Sequence, residues 1–176
     1  MAPISIPDPS LVVLIGAAGS GKSTFAERHF DRSEILSSDA FRALISGDAA
    51  DQTVTRAAFG RLHRGLAARL ARGQLTVVDA TNVDRAARRA LLRHAAAAGL
   101  PAVAIVLDLP PEIVLARNAA RRGRTVDDRV VVRHLKRLRR SIGDPATTLK
   151  GDGFDRVVHL RTPAEIDDAS IVRVAG

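Results

Sequence analysis

The apolar run Leu11–Ile15, "LVVLI", passes directly into "GAAGSGKST", residues 16 to 24, and this junction constrains the chain more than any other feature. A short run of β-branched and leucine residues reads as a strand covered on both faces. The glycines that follow permit a tight turn into a helix, and Gly16, Gly21, Lys22 and Ser23 fit the spacing G-x-x-x-x-G-K-[ST]. In that arrangement backbone amides curl around phosphate and the helix N-terminus adds partial positive charge. Lys22 reaches the β and γ oxygens, and the Ser23 hydroxyl meets Mg²⁺. Gly16, Gly19, Ser20, Gly21, Lys22, Ser23 and Thr24 are therefore the expected nucleotide-binding set, with ATP or another nucleoside triphosphate and Mg²⁺ as cofactors.

The rest of the chain alternates short apolar runs with helical stretches, the pattern of βαβ units around a parallel sheet. Further strands are expected at "EILSS" (34–38), "LTVVDA" (75–80), "AVAIVLDL" (102–109) and "RVVHL" (156–160). Helices are expected over about 22–30, 39–45, 54–71, 84–98, 111–122 and 126–142, with Asp84 capping one and Gly99 ending it. The spacing of Val131, Leu135, Leu138 and Ile142 turns that face of the last helix inward. "PDP" (7–9) and "GDPATTLKGDG" (143–153) read as connections, the second as the flexible one. The fold class is α/β: a three-layer sandwich of the P-loop kinase type, with a five-stranded, mainly parallel sheet. The length of 176 residues fits a single domain, 1–176, with an arginine-rich helical lid at about 111–142.

Composition narrows the partners. The absence of Cys excludes disulfides, zinc thiolate sites and thiol catalysis, and fits a cytoplasmic setting. The longest apolar stretch, "AAAAGLPAVAIVL" (95–107), falls short of the roughly 20 residues a membrane span requires, so no membrane partner is expected. A net charge of +8 suits a polyanionic partner such as nucleic acid, but richness in Arg and Ala across the whole chain accounts for it equally well. Lysine is confined to Lys22, Lys136 and Lys150, one of which belongs to the phosphate loop. Trp and Tyr are absent, so no aromatic platform for stacked bases is expected.

Triphosphate binding leaves the acceptor undecided, because switches, motors, ATPases and kinases share the loop. "SSDAFR" (37–42) puts Asp39 at the carboxyl end of the second expected strand, where open α/β sheets hold their ligands. A carboxylate there suits the task of orienting a hydroxyl and taking its proton, and it equally suits a helix N-cap. "VVDATN" (77–82) puts Asp79 where a carboxylate holds Mg²⁺ directly or through water, or serves as an ordinary turn residue. In "LARNAARRGR" (115–124), Arg117 and Arg121 stand four residues apart with Arg124 beyond. That is either an arginine comb over a triphosphate or a solvated face.

Taken together, "LVVLIGAAGSGKSTFA", "SSDAFR", "DQTVT", "LTVVDATNV" and "RNAAR", in this order along nearly the whole chain, resemble the polynucleotide 5′-hydroxyl kinase family. The similarity is strongest to the amino-terminal kinase module of bacterial polynucleotide kinase-phosphatases, which heal RNA ends. The resemblance implies transfer of the γ-phosphoryl of ATP to the 5′-hydroxyl end of RNA or DNA. It implies Lys22, Asp39, Arg117 and Arg121 as catalytic residues, with the two arginines also on the donor phosphates. It further implies Asp39, Arg42 and Asn82 on the acceptor, Ser23 and Asp79 at the metal, and the donor base near the lid and "RTPAEID" (161–167). Phosphatase and ligase modules of such parent proteins are expected partners. This chain carries no metallophosphoesterase cluster, so end sealing is not expected of it. The stretch after Arg121, "RGRTVDDRVVVRH", is richer in arginine than the family pattern, leaving Arg122, Arg124 and Arg129 without roles.

Two other readings compete: a small-molecule P-loop kinase, and a non-catalytic module whose nucleotide-ordered lid presents a basic face to RNA or protein. Salt-sensitive acceptor binding separates the first from the resemblance, and survival of an Asp39→Ala change marks the second. His29, His63, His94, His134 and His159 share no ligand spacing and read as structural or surface residues, with His63 alone placed near an acceptor path.

Overall fold

A computed structural model describes residues 2–48, 51–121 and 125–176. The elements run β1 (Ile4–Asp8), β2 (Leu11–Ile15), α1 (Lys22–His29), a 3-10 turn (Arg32–Glu34), β3 (Ile35–Ser37), α2 (Ser38–Ser46), α3 (Thr55–Leu70) and β4 (Thr76–Asp79). They continue with α4 (Arg85–Ala98), β5 (Ala102–Leu107), α5 (Pro111–Ala119), α6 (Asp128–Ile142), α7 (Pro145–Asp152), β6 (Arg156–Leu160), α8 (Pro163–Asp167) and β7 (Ile171–Ala175). Five strands form one parallel sheet in the order β3-β4-β2-β5-β6. From β2 the chain leaves for one edge and from β4 for the other, so the carboxyl ends of these neighbours flank the crevice where such sheets bind ligands.

Alternation along β2 builds both layers. Leu11, Val13 and Ile15 pack with Leu62, Leu66 and Leu70 of α3 and with Leu91, Leu92 and Ala95 of α4. Val12 and Leu14 face the opposite way, with Phe25 of α1 and Val114 of α5. Leu62 and Leu66 are fully buried, each contributing about 1.5–3 kcal/mol. The inward stripe of α6 is buried as its spacing predicts. Val131 and Leu135 join one cluster, and Leu138 and Ile142 the other.

Four features depart from the expectations. A separate two-stranded parallel ribbon pairs β1 with β7, its register running from Ile4 against Ile171 to Asp8 against Ala175, and it includes Pro7 of the expected connection. The stretch 143–153 is largely helical: Asp144 caps α7 by accepting from the Thr147 amide at 3.3 Å, Pro145 begins it and Gly153, at φ 117°, ends it. β3 stops at Ser37 because the Ser37 hydroxyl accepts from the Ala40 amide at 3.4 Å and starts α2. Asp39 therefore sits in the first turn of α2, and Ser37 is the cap. The lid helix α5 ends at Ala119, and α6 starts at Asp128, where Asp127 accepts from the Arg129 amide at 2.7 Å. Arg121 thus lies beyond its helix, and Arg122 and Arg124 fall outside the described residues.

Candidate active site

The carboxyl ends of β2 and β4 open into a cleft of about 770 Å³. Its floor is the phosphate loop. The Gly16 amide donates to the Thr81 carbonyl at 3.0 Å, and a Cβ at Gly16 would stand 2.8 Å from the Leu107 carbonyl oxygen, so only glycine lets the loop pass this close to β5. Gly19 turns at φ 86°, where a side chain would meet the Val114 carbonyl oxygen at 2.8 Å. Lys22, Ser23 and Thr24 open α1, whose first amides have no partner within the helix.

Lys22 is 8% exposed, and its Nζ donates to the Ala17 carbonyl at 2.7 Å. Burial pulls its pKa from 10.5 to about 8, with Asp79 acting against that shift and Arg121 adding to it. Beside it the Ser23 hydroxyl donates to Asp79 Oδ2 at 2.8 Å, joining α1 to the end of β4. A hydroxyl and a carboxylate oxygen at the mouth of a phosphate loop are hard donors of the kind Mg²⁺ takes, so these residues fit that ion.

Across the cleft, Arg42 of α2 forms an ion pair with Asp39 one turn earlier. The Arg42 side chain is 7% exposed and that of Asp39 is 37% exposed, so the guanidinium anchors a carboxylate that still faces the cleft. From above, Arg117 approaches the loop closely enough that a Cβ at Gly21 would come within 3.4 Å of its Nη1. Arg121 lines the same wall, beyond the end of α5.

The fold therefore brings Gly19, Gly21, Lys22, Ser23, Thr24, Asp39, Arg42, Asp79, Arg117 and Arg121 to one cleft. Gly16 and Ser20 stand behind its surface, Ser20 fully buried. Asn82 stands apart. It is 4% exposed, adopts φ 49°, and its amide nitrogen donates to the carbonyls of Leu14 at 2.8 Å and Ala80 at 3.2 Å. The Asn82 carbonyl in turn accepts from the fully buried Arg88 at 3.2 Å. Its place in the structure is a brace between the ends of β2 and β4.

A family model described as AAA domain (AAA_33) matches residues 11–145. The chain belongs to this AAA domain family. Among solved structures, the AAA domain is similar to a chain of the Pnkp1/Rnl/Hen1 RNA repair complex, at 25% identity and TM-score 0.65 over 77% of its length. It spans less than half of that relative, 45%. It also resembles a gluconokinase from Sinorhizobium meliloti, at 20% identity and TM-score 0.56 over 93% of this chain and 88% of that one. A third similar structure is the Mycobacterium tuberculosis APS kinase CysC in complex with AMPPNP and APS, at 17% identity and TM-score 0.55 over 93% and 94%. The last two show the fold, which is that of P-loop kinases. No curated protein gives a significant match.

The AAA domain's cleft also holds residues that sequence spacing leaves unmarked. Gln52 before α3, Thr55 at its start and Phe59 one turn into it line the cleft, whereas His63 turns away and meets His94 of α4 at 3.0 Å. Val130 and His134 of α6 line it as well, so His134 is a cleft residue and not a peripheral one. Burial, together with the Lys22 charge, holds the His134 imidazole below its usual pKa. A second line of spacing on α6, Val130 to His134, is the signal that marks this wall. Ile166 and Asp167 of the 161–167 segment complete the far side. No helix among the described residues is long and apolar enough to cross a membrane.

Proposed function

We propose that this chain is a polynucleotide 5′-hydroxyl kinase that moves the γ-phosphoryl of ATP, or of another nucleoside triphosphate, to the 5′-hydroxyl end of RNA or DNA, the 5′ healing step of nucleic-acid repair. The observation that carries the reading is the placement of the Asp39–Arg42 pair opposite Lys22, Ser23 and Asp79 in one cleft. The 25% identity with a chain of an RNA repair complex supports a polynucleotide acceptor.

In this account Lys22 meets the β and γ oxygens, and Arg117 and Arg121 close over the donor. Ser23, with Asp79 acting through water, would hold a Mg²⁺ ion, which when bound would screen phosphate charge. Asp39 orients the 5′-hydroxyl and takes its proton as the oxygen–phosphorus bond forms and the bridge to the β-phosphate breaks, giving a 5′-phosphate end and ADP. Arg42 keeps the Asp39 carboxylate aimed and turns toward the acceptor strand. Asn82 acts through the backbone it braces and not by touching the acceptor. Phosphatase and ligase modules are the partners such a healed end calls for, and a cytoplasmic setting suits them.

The test is transfer of label from γ-labelled ATP to short 5′-hydroxyl RNA and DNA, with 5′-phosphorylated strands as controls and gluconate and other sugars as alternative acceptors. Label on free 5′-hydroxyl ends alone supports the proposal. Label on a sugar alone overturns it in favour of a small-molecule kinase.

A further inference from the structure

Three neighbouring helices, α3, α4 and α6, have an unusual charge distribution. α3 carries four arginines and α4 carries four, with no Asp or Glu on either, and α6 carries six Lys and Arg against a single acid, Asp128. The helices α1, α5 and α8 between them mix signs: Glu27 lies on α1, Glu112 on α5, and Glu165 and Asp167 on α8. The acids nearest these helices are engaged in ion pairs, Asp152 of α7 with Arg85 and the buried Arg88, and Asp84 with Arg137.

The three helices form a continuous surface. His63 of α3 meets His94 of α4 at 3.0 Å, and the buried Arg88 of α4 donates to the Ser141 carbonyl of α6 at 3.0 Å. Arg137 of α6 reaches Asp84, the residue before α4, at 3.2 Å. Arg64 on α3, Arg89 and Arg93 on α4, and Arg133 and Arg140 on α6 are exposed, with no ion-pair partner among the described residues. Arg89 and Arg93 stand one turn apart, about 6 Å along the helix. α6 joins this surface to the cleft, since Val130 and His134 turn inward while Arg133, Arg137 and Arg140 turn outward.

We infer that the outer face of α3, α4 and α6 is a docking surface for the phosphate backbone of a nucleic-acid strand, beyond the nucleotides that the cleft itself receives. The inference rests on the polynucleotide reading only for where the strand's 5′ end lies. Charge selects the class of partner. The face offers clustered guanidinium groups and no apolar anchor: the large hydrophobic side chains exposed among the described residues are Leu44 on α2 and Val172 on β7. A protein partner or a membrane-surface helix requires such anchors, whereas a phosphate backbone requires cations.

The test compares Arg89→Glu/Arg93→Glu with a control of equal net charge, Arg32→Glu/Arg156→Glu, by anisotropy titration of labelled 5′-hydroxyl RNA and DNA over a range of KCl. Strands of about 20 nucleotides are set against trinucleotides, and each lost phosphate contact removes about 0.7 from the salt slope of a single strand. The expected result is that the α4 variant binds the long strand about tenfold or more weakly, with a slope smaller by about 1.4, while the control stays within about twofold. Trinucleotide binding and ATP affinity are unchanged. Arg89→Gln/Arg93→Gln gives a smaller loss in the same direction and removes any concern that reversed charge disturbs folding. Equal binding by the α4 variant and the control overturns the inference, as does binding of poly-glutamate or anionic vesicles in place of the strands. Binding needs no turnover, so failure of the kinase reading shows as absent transfer with face-dependent binding intact, and failure of this inference shows as transfer without face dependence.

Discussion

The Ser23 hydroxyl donates to Asp79 Oδ2 at 2.8 Å, linking the first turn of the helix after the phosphate loop to the end of the neighbouring strand. The pair shares one cation site in the proposed account, with Ser23 in direct contact and Asp79 acting through water. Ser23→Ala is expected to raise the Mg²⁺ concentration needed for half-maximal transfer by about tenfold or more, and Asp79→Asn to do the same with a smaller effect. A Mg²⁺ titration of transfer in each variant checks this. Overlapping titrations for variants and wild type would remove the pair from the metal site.

Lys22 gives nucleotide binding a pH dependence. Burial lowers its pKa to about 8, so in the free protein the ammonium loses its proton as pH rises through that value. Bound triphosphate favours the charged form and raises the pKa again. Affinity for ATP is therefore level below about pH 7 and falls by up to about tenfold per unit above about pH 8, with proton uptake on binding there. Calorimetry in buffers of different ionisation enthalpy measures the uptake. Lys22→Met binds weakly and with no such dependence.

Asn118 holds the two ends of the lid segment together. It is fully buried, its Nδ2 donates to the Val126 carbonyl at 2.6 Å, and its Oδ1 accepts from the Val126 amide at 3.1 Å. Asn118→Ala leaves those backbone groups without partners, which costs about 1–3 kcal/mol. Because Arg117 and Arg121 flank it, the expected signature is a lower denaturation midpoint together with a raised KM for ATP. Asn118→Asp restores only the accepting half. A fall in stability with KM unchanged would limit Asn118 to packing.

The donor side of the cleft is legible in the sequence because short-range spacing encodes it. Leu11 to Thr24 form a contiguous strand–loop–helix unit, and Asp79 ends an apolar strand. The buried stripe of α6 is legible for the same reason. The β1–β7 ribbon is not, because it joins the two ends of the chain through short strands, one of which contains Pro7. Length, and not cap chemistry, hides α7: Asp144, Pro145 and Gly153 are ordinary helix punctuation around only eight residues. Asn82 stands beside Asp79 in sequence but turns into the backbone at positive φ, a direction that spacing does not reveal. His134 reads as one more histidine until α6 packs beside Lys22. The arginines are the clearest case. Composition alone leaves them ambiguous, and only the fold sorts them into those of the cleft and those of the α3–α4–α6 face.

In the proposed reaction Asp39, anchored by the buried Arg42, accepts the acceptor's proton in the same cleft that binds the donor. The most direct measurement is single-turnover transfer from γ-labelled ATP to 5′-hydroxyl RNA by Asp39→Asn, alongside its ATP affinity. The expected result is a fall in the transfer rate of about 10²–10⁴-fold, the usual worth of a positioned base, with ATP affinity within a few-fold of wild type. Transfer at the wild-type rate by a folded, ATP-binding Asp39→Asn protein would contradict it.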